Sequence, residues 1–520
     1  MGLTRWLRSL RRPEGRAAPS LAQLKAATPG LHRLFPQNPA YLAALASALF
    51  ARGHAALAMQ ALEEARERGY SAAWAATLLA RHHVTTRQFR QALDTLAPVL
   101  AGDEALSEAH EIAGAAQFNL KDIPEAHRHY REAVRLDPSN AVVRGSFAGV
   151  LDHYARFDEA IVEAKQALRF DPRSAVALKN LSMAYGALAR LDEEEKVLEL
   201  ARIYHPNDAE LELQLGFYRL RAGDYARGWP LYEARLRTEG DQPKIRPSTA
   251  QRARWDGKSF PGKTLLVFGE QGFGDNIMVA RLYPELKAMG GRVVLEVRPA
   301  LVGLLSRAPG LDAVVPLNET QEPAEPYDFW ISSMSLPYML GVDPHARQAP
   351  VRYLEPAAEA VAYWRERTAQ HPGRKVGIAW SGNPLHKNDV RRSIPFDLIR
   401  RLVATPGTSF FSLQLNPGWG PDFHKPPALL DFTDELLTFD DTVALAECMD
   451  LVISVDTSVA HVGGALGRPT WIVLPYLAEW RWGLSGERSV WYPSVTLLRQ
   501  PKPGDWRGLL ETVRKRLEPA

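Results

Sequence analysis

The chain has 520 residues, of which 46% are hydrophobic, so it is long enough for several domains and too apolar to be disordered throughout. Its 63 basic and 60 acidic residues nearly cancel, which disfavours nucleic acid as a partner because such proteins need an excess of positive charge. The single cysteine, Cys448, excludes an internal disulfide and a cysteine-based metal cluster. This composition is typical of a reducing compartment.

Residues 1–38 form a basic N-terminal extension in our division of the chain. Five arginines occur between Arg5 and Arg16, and no apolar run of the length of a secretory signal follows them. No stretch of 18 uninterrupted apolar residues occurs in the sequence, so we expect no membrane span. We therefore expect a cytoplasmic protein, with the extension either solvated or lying as a basic helix on a membrane surface.

From residue 39 to residue 240 a helical pattern recurs with a fixed period. Pro138, Pro172 and Pro206 each close one unit and lie 34 residues apart, so units begin near residues 39, 73, 107, 141, 175 and 209. Small residues recur where paired helices must approach closely. They include Gly114, Ala126, Ala133, Ala148, Ala160, Ala167 and Ala201. The pattern resembles the tetratricopeptide family and predicts an α-solenoid.

Stacked helix pairs of this kind form a concave groove that normally binds a partner. The sixth position of each late unit is polar, at Ser146, Asn180 and Gln214. We predict that these three residues bind the backbone of an extended protein acceptor, much as an asparagine ladder does in eukaryotic O-linked N-acetylglucosamine transferases. The alternative is a solvated groove whose polarity is incidental.

Residues 241–263 are rich in proline and glycine and are interpreted as a linker. Short apolar runs then alternate with helical patterns, which is typical of buried parallel strands joined by crossover helices. The pattern divides into two Rossmann-like halves, 264–355 and 356–520, giving an α/β region after the helical one. The predicted strands are Thr264–Phe268, Arg292–Val297, Lys375–Trp380, Ser409–Gln414, Leu451–Val455, Thr470–Leu474 and Val495–Leu498.

A glycine-rich turn follows the first predicted strand and precedes a helix expected to begin near Asn276. Gly272 and Gly274 would let a substrate approach the backbone, and Asp275 would point into the cleft as a general base for an acceptor hydroxyl. A tight strand-to-helix turn explains the glycines equally well. Asp275 is also a plausible N-cap residue.

A polar loop follows the first strand of the second half, from Trp380 to Pro395. Lys387, Arg391 and Arg392 are cations suited to neutralising a leaving phosphate, and Asn383 lies on the same loop. Surface charge is the alternative for each cation. The sequence leaves open which of the two arginines faces inward.

The segment from Leu451 to Gly467 carries the sharpest signal. A buried strand ends at Asp456, and Thr457 and Ser458 open a helix whose free amides and dipole favour a phosphate. His461 follows about one turn later on the same face as Thr457. Helix capping and a satisfied core histidine are the structural alternatives for these residues.

This segment, with Gly464–Pro469 after it, resembles the nucleotide-sugar motif of family 9 glycosyltransferases, the heptosyltransferase group. The resemblance implies a GT-B-type fold with the acceptor side in residues 264–355 and the donor side in 356–520. It implies that Gly274-Asp275 carries the catalytic base, that Lys387 is the loop lysine of that family, and that Thr457, Ser458 and His461 meet the donor phosphates. We expect Asp456, at the strand end before them, to bind the same nucleotide-sugar. The whole chain resembles bacterial proteins that fuse tetratricopeptide repeats to this domain, some of which glycosylate flagellin. The first half is shorter than in heptosyltransferases, which weakens a lipid-sugar acceptor.

No Asp-x-Asp pair occurs in the sequence, so the metal clamp of many glycosyltransferases is missing and we expect neither a metal nor a cofactor. The expected reaction is an inverting transfer from a nucleotide-sugar to a serine or threonine hydroxyl of a protein. Uridine and cytidine donors both remain open. The aromatic residues Trp480, Trp482, Trp491 and Tyr492 either stack on the donor or pack in a core.

Two other functions remain open. One is an inactive scaffold in which the repeats bind a partner and the transferase fold has lost its activity. The other is a transferase that acts on envelope polysaccharide and uses its repeats to dock an assembly complex.

Overall fold

The structure is a computed structural model that describes residues 39–51, 53–102, 106–238, 245–318, 320–323, 325–383, 389–415 and 426–518. The chain divides into two compact units, one ending at Tyr185 and the other running from Gly186 onward. The predicted N-terminal extension lies outside the described residues. Within the described ranges, no helix combines the length and the apolar character needed to cross a membrane.

Paired helices fill the chain from residue 39 to residue 232, and each pair starts within one residue of a predicted repeat start. Short turns separate the two helices of a pair, as the 34-residue period requires. The helices are α1 Pro39–Phe50, α2 Ala55–Glu67, α3 Ala72–Thr85, α4 Phe89–Ala101, α5 Ser107–Asn119, α6 Ile123–Leu136, α7 Ala141–His153, α8 Phe157–Phe170, α9 Ala175–Ala187, α10 Leu191–Tyr204, α11 Ala209–Arg221 and α12 Tyr225–Tyr232.

The repeat is also visible in the backbone of the turn inside each helix pair. One residue of that turn adopts a left-handed conformation, and these residues recur every 34 positions at Gly53, Arg87, Lys121, Ala155, Ala189 and Gly223. A left-handed residue with a side chain carries a steric cost, so its recurrence shows that the turn geometry is imposed by the packing of the pair. The predicted tetratricopeptide-like solenoid is therefore confirmed as a fold.

Small residues lie at the helix contacts, as predicted. Ala126, Ala133, Ala148 and Ala160 are fully buried, and a Cβ at Gly114 would meet the Tyr130 ring at 2.8 Å. Each helix pair therefore depends on residues that let the two backbones approach.

The second unit contains two parallel sheets. In the first, the strand order is β1-β5-β2-β3-β4, with Phe268 of β2 opposite Glu296 of β3 and Ser332 of β5. The strands are β1 Ala253–Arg254, β2 Thr264–Phe268, β3 Arg292–Val297, β4 Ala313–Pro316 and β5 Phe329–Ser332. The helices of this half are α13 Pro247–Ala250, α14 Phe273–Val279, α15 Tyr283–Ala288, α16 Pro299–Leu305 and α17 Leu336–Met339.

The second sheet has the order β11-β10-β9-β6-β7-β8, with Ala379 of β6 opposite Ser454 of β9. This is the doubly wound order in which the chain adds strands first to one side and then to the other. The strands are β6 Arg374–Ala379, β7 Thr408–Ser412, β8 Leu429–Leu430, β9 Leu451–Ser454, β10 Thr470–Leu474 and β11 Val495–Arg499. The helices are α18 Ala358–Ala369, α19 Asp389–Arg392, α20 Phe396–Leu402, α21 Phe439–Glu447, α22 Ser458–Ala465 and α23 Trp506–Leu517.

The last helix pair, α11 and α12, belongs to the second unit, although we expected the solenoid to form a separate domain up to residue 240. The Trp229 ring lies 5.3 Å from the Trp480 ring, and its indole nitrogen donates to the Val342 carbonyl at 2.7 Å. Just after α12, the buried Arg235 guanidinium pairs with Glu270 at 2.6 Å. The final repeat therefore shares one core with the α/β sheets.

Candidate functional site

Each sheet has a switch point, the place where the strand order reverses and where ligands of such folds usually bind. In the first sheet it lies between β2 and β5, and in the second between β6 and β9. The helices that follow β2 and β9 touch each other, because Gly274 of α14 lies directly against the His461 ring of α22. The two switch points therefore contribute residues to one site.

Asp275 lies in the first turn of α14, which begins at Phe273 rather than near Asn276 as predicted. One carboxylate oxygen accepts from the Gly272 backbone N–H at 2.9 Å, which closes the helix start. The other oxygen pairs with the guanidinium of Arg481. The N-cap residue is therefore Gly272, and not Asp275 as the alternative interpretation held, and the Asp275 side chain bonds back to it from inside the helix. Asp275 also faces the second half of the unit.

Arg481 was not predicted as a site residue. It lies in a short 3-10 turn, Trp480–Trp482, with its guanidinium 4.3 Å above the Trp480 ring and 3.4 Å from the Glu479 carboxylate. Its pairing with Asp275 joins positions 206 residues apart. An arginine between two tryptophans carries no sequence signal for such a contact, so only the fold could reveal it.

Asp456 follows β9 and is 8% exposed. Burial and repulsion from Glu479 raise the pKa of its carboxyl to about 6, against the opposing charge of Arg481. Arg392 donates to the Asp456 backbone carbonyl at 2.9 Å and to Asp389 at 3.2 Å. Of the two arginines left open by the sequence, Arg392 contacts the strand end, and both side chains are half-buried.

Thr457 and Ser458 form the start of α22 and are half-buried. Thr457 is the N-cap residue, and its hydroxyl lies 3.1 Å from the Ser454 hydroxyl instead of capping the helix. The start of α22 therefore follows the buried Asp456 directly, which is the arrangement that the sequence predicted for a phosphate site.

His461 has a different position from the predicted phosphate ligand. It is 3% exposed, and its Nδ1 lies 2.7 Å from the Tyr492 hydroxyl. Burial, together with the charge of Arg481, lowers the pKa of His461 to about 3, so the ring is neutral at physiological pH. Because its ring fills the contact between α14 and α22, we assign His461 a packing role, which corrects the prediction of a donor ligand.

The glycines of the first loop have separate roles. Gly274 provides the space for the His461 ring, which accounts for this glycine without a substrate. The Gly272 backbone N–H donates to the Asp275 carboxylate at the start of α14. Asn276, which was not predicted, is buried and donates to the carbonyls of Glu270 and Gly272, each at 2.9 Å. The loop is thus held in one conformation by its own side chains.

Residues 384–388 lie outside the described residues, so the structure gives no position for the predicted catalytic Lys387. Asn383, at the edge of that gap, is exposed. Within the described part of the chain, no three His, Cys, Asp or Glu side chains are grouped to hold a metal ion.

The four aromatic residues of the second half pack in a core. Trp480, Trp482, Trp491 and Tyr492 are all buried, which decides between the two interpretations in favour of packing. Trp480 and Trp491 contact Trp229 of the last repeat, with ring centres 5.3 and 6.3 Å away. The aromatic cluster that packs next to Arg481 therefore includes Trp229 of the final helix pair.

The predicted acceptor residues are spread over both units. In the first unit, Asn180 is buried and its amide donates to the Gly145 carbonyl at 2.8 Å, so it ties neighbouring repeats together. We predicted that Asn180 binds the backbone of an acceptor, and its amide nitrogen instead bonds within the fold. Ser146 in the same unit and Gln214 in the second unit are half-buried. Their role in binding an acceptor stays a prediction.

Comparison with known proteins gives one curated relative and several helical repeat structures. No family model matches the chain. Protein FlbA of Caulobacter vibrioides is 28% identical over 364 residues, which covers 63% of this chain and 59% of FlbA. The chain thus spans less than two thirds of the length of that relative.

The similar solved structures match only part of the chain. TTC0263, a thermophilic TPR protein of Thermus thermophilus, is 20% identical over 35% of this chain and 99% of its own, with a TM-score of 0.31. YrrB, a TPR protein with an unusual peptide-binding site, is 18% identical over 38% and 97%, with a TM-score of 0.27. PilF of Pseudomonas aeruginosa is 19% identical over 33% and 78%, with a TM-score of 0.30.

Proposed function

We propose that the chain is a cytoplasmic glycosyltransferase of the GT-B type, in which a nucleotide-sugar binds between the two α/β halves. The observation that carries the proposal is the contact between the two switch points. It brings Asp275, in the first turn of the helix after β2, together with Arg481 and with the strand end at Asp456. Two doubly wound sheets that share one polar centre favour an activated nucleotide donor and a hydroxyl acceptor.

In the proposed reaction, Asp275 accepts the proton of an acceptor hydroxyl while the hydroxyl oxygen attacks the anomeric carbon of the donor. The bond from that carbon to the phosphate oxygen breaks, and the configuration inverts because the attack comes from the opposite face. The start of α22 at Thr457 and Ser458, together with Lys387, stabilises the negative charge on the departing phosphate. No metal ion takes part in the proposed reaction.

The acceptor in this proposal is a serine or threonine of a protein bound by the repeats, with a flagellin as the candidate that the family resemblance suggests. The helix pairs of the first unit, which repeat every 34 residues, are of the kind that bind polypeptides. Ser146 and Gln214 remain candidate contacts.

A scaffold without activity is the second candidate function, and one observation favours it. The carboxylate that would act as the base is already paired with a guanidinium in this structure. One of its oxygens accepts from the Gly272 N–H and the other pairs with Arg481, so an acceptor hydroxyl would have to compete with partners already in place.

The first experiment is a thermal-shift measurement with UDP, ADP, GDP, CDP and CMP on the wild-type chain and on Asp456→Ala. We expect one nucleotide to stabilise the wild type by about 3 kcal/mol at a hundredfold excess over its dissociation constant, and the variant to lose this effect. Asp312→Ala, at a carboxylate on the far side of the first sheet that pairs with Lys287, is the matched control and should keep the shift. If no nucleotide stabilises the wild type, the scaffold function is favoured.

The second experiment tests the chemistry through the release of nucleotide in the presence of the acceptor protein. Asp275→Asn should lower turnover by about 10²–10⁴-fold, because it removes the base and keeps the shape of the side chain. Nucleotide binding should persist in this variant. Unchanged turnover would eliminate Asp275 as the base.

A further inference from the structure

Arg481 is surrounded by more carboxylates than one guanidinium can neutralise. It pairs with Asp275, lies 3.4 Å from Glu479 and is close enough to Asp456 for their charges to interact. The side chain is 12% exposed, and its Nε has no hydrogen-bond partner among the described residues. A buried guanidinium with an unused N–H and competing anions is able to exchange one partner for another.

The surroundings of Arg481 place it between the two reactants of the proposed transfer. On one side is the carboxylate of the proposed base. On the other is Asp456, which immediately precedes the start of α22, where the proposed donor phosphates lie. A guanidinium binds a diphosphate with two parallel hydrogen bonds, and a diphosphate offers more negative charge than a single carboxylate.

We propose that Arg481 changes partner during the catalytic cycle, pairing with Asp275 in the empty site and with the donor diphosphate in the loaded site. The exchange leaves the Asp275 carboxylate free to take the acceptor proton only when a donor is present. Binding of the donor is thus coupled to activation of the base, and an empty site is held inactive. This inference rests on the proposed function, and it removes the objection that the base is already paired.

The test is a double-mutant cycle on the binding of UDP, ADP, GDP and CDP, each measured beside its nucleoside by titration calorimetry. If the diphosphate must take Arg481 from Asp275, then Asp275→Asn should tighten diphosphate binding at least about threefold, whereas Arg481→Gln should weaken it at least about tenfold. Nucleoside binding should change in neither variant. In the Arg481→Gln background, adding Asp275→Asn should have little further effect.

The cycle distinguishes partner exchange from a purely electrostatic effect of the Asp275 charge on diphosphate binding. Removing the Asp275 charge would tighten diphosphate binding equally in both backgrounds if charge alone mattered, and this result would overturn the proposal. Glu479→Gln removes a charge near the same guanidinium at the longer distance of 3.4 Å and should give a smaller effect than Asp275→Asn. Arg481→Lys keeps the positive charge but lacks the two parallel N–H donors, so it should also weaken diphosphate binding. This variant replaces Arg481→Gln in the test if Arg481→Gln does not fold.

The cycle distinguishes the failure of this inference from the failure of the proposed function. A wild-type chain that binds neither CMP nor any of the four diphosphates contradicts both, and one that binds CMP alone contradicts the partner exchange and not the proposed function. A wild-type chain that binds one of the diphosphates contradicts the partner exchange alone in two cases. In the first, Asp275→Asn does not change the affinity. In the second, Asp275→Asn changes the affinity by the same factor with Arg481 and with Arg481→Gln.

Discussion

Two residues of the segment Leu451–Gly467 show how burial changes the chemistry that a sequence suggests. Asp456 and His461 lie five positions apart, and both were predicted to meet the donor. Burial raises the pKa of Asp456 to about 6 and lowers that of His461 to about 3, so each equilibrium shifts toward the uncharged form. Residue type and spacing identified this segment, but the depth of each side chain depends on Trp482 and Tyr492, which come later in the chain.

The low pKa of His461 predicts a contribution to acid sensitivity. The folded chain holds this ring neutral down to about pH 3, whereas the unfolded chain takes up a proton below pH 6.5. Folding stability from this group is therefore complete above pH 6.5 and is lost as the pH falls toward 3, with a loss of about 1.4 kcal/mol between pH 7.5 and pH 5.5. Between these two pH values, His461→Gln should lose about 1.4 kcal/mol less folding stability than the wild type. Urea unfolding of both proteins at both pH values measures the two losses.

The control is His345→Gln, at an exposed histidine in the same unit, which should follow the wild type. An identical decline in His461→Gln and in the wild type would mean that His461 titrates normally in the folded chain.

At the scale of elements, most of the α/β pattern was readable from the sequence. The predicted strands Thr264–Phe268, Arg292–Val297 and Thr470–Leu474 agree with β2, β3 and β10 to the residue. These strands are buried apolar runs, and a buried parallel strand needs such a run. The missed strands, β1, β4, β5 and β8, have two to four residues each, which is too short for a period to show.

The contact between α14 and α22 decides the geometry of the site, and it required the structure. Both helices follow strands that the sequence placed correctly, but nothing in the sequence pairs Gly274 with His461. The same limit applies to Arg481, whose partner Asp275 is contributed by the other half of the unit. Sequence reasoning found the loops of the candidate site, whereas the contacts between loops came from the fold.

This helix contact predicts a difference between two neighbouring glycines. A Cβ at Gly274 would overlap the buried His461 ring, whereas a Cβ at Gly272 would lie 3.3 Å from an Asp275 oxygen. Gly274→Ala should therefore destabilise the unit by about 1–3 kcal/mol through overpacking. Gly272→Ala should cost clearly less, since only one flexible side chain has to adjust. Chemical unfolding of both variants measures the difference, and equal costs would show that α14 and α22 are not packed as tightly as described.

At the scale of the whole molecule, the boundary between the two compact units differs from the boundary in the repeat pattern. The pattern continues to α12, but the second unit begins at Gly186 and so contains α10 as well as the last helix pair. Sequence periodicity reports how a segment folds locally, and it does not report which core the segment joins. The final pair carries Trp229 and Tyr232, whose rings pack on Trp480 beneath the candidate site.

This assignment predicts where the chain tolerates shortening. A chain reduced to residues 188–520 keeps the final helix pair and should fold, whereas one reduced to 245–520 should be less stable by about 3–5 kcal/mol or more. The larger loss follows because Glu270, whose side chain is 0% exposed, would keep its buried charge without the Arg235 guanidinium. Urea unfolding of the two shortened chains gives the comparison.

Glu270→Gln should recover part of the loss in 245–520 by removing that charge, and it should destabilise 188–520, where the pair is intact. Equal stability of the two shortened chains would mean that the final repeat belongs to the solenoid alone. In that case neither Arg235 nor the aromatic rings of α12 would support the segment between β2 and α14 that leads to Asp275.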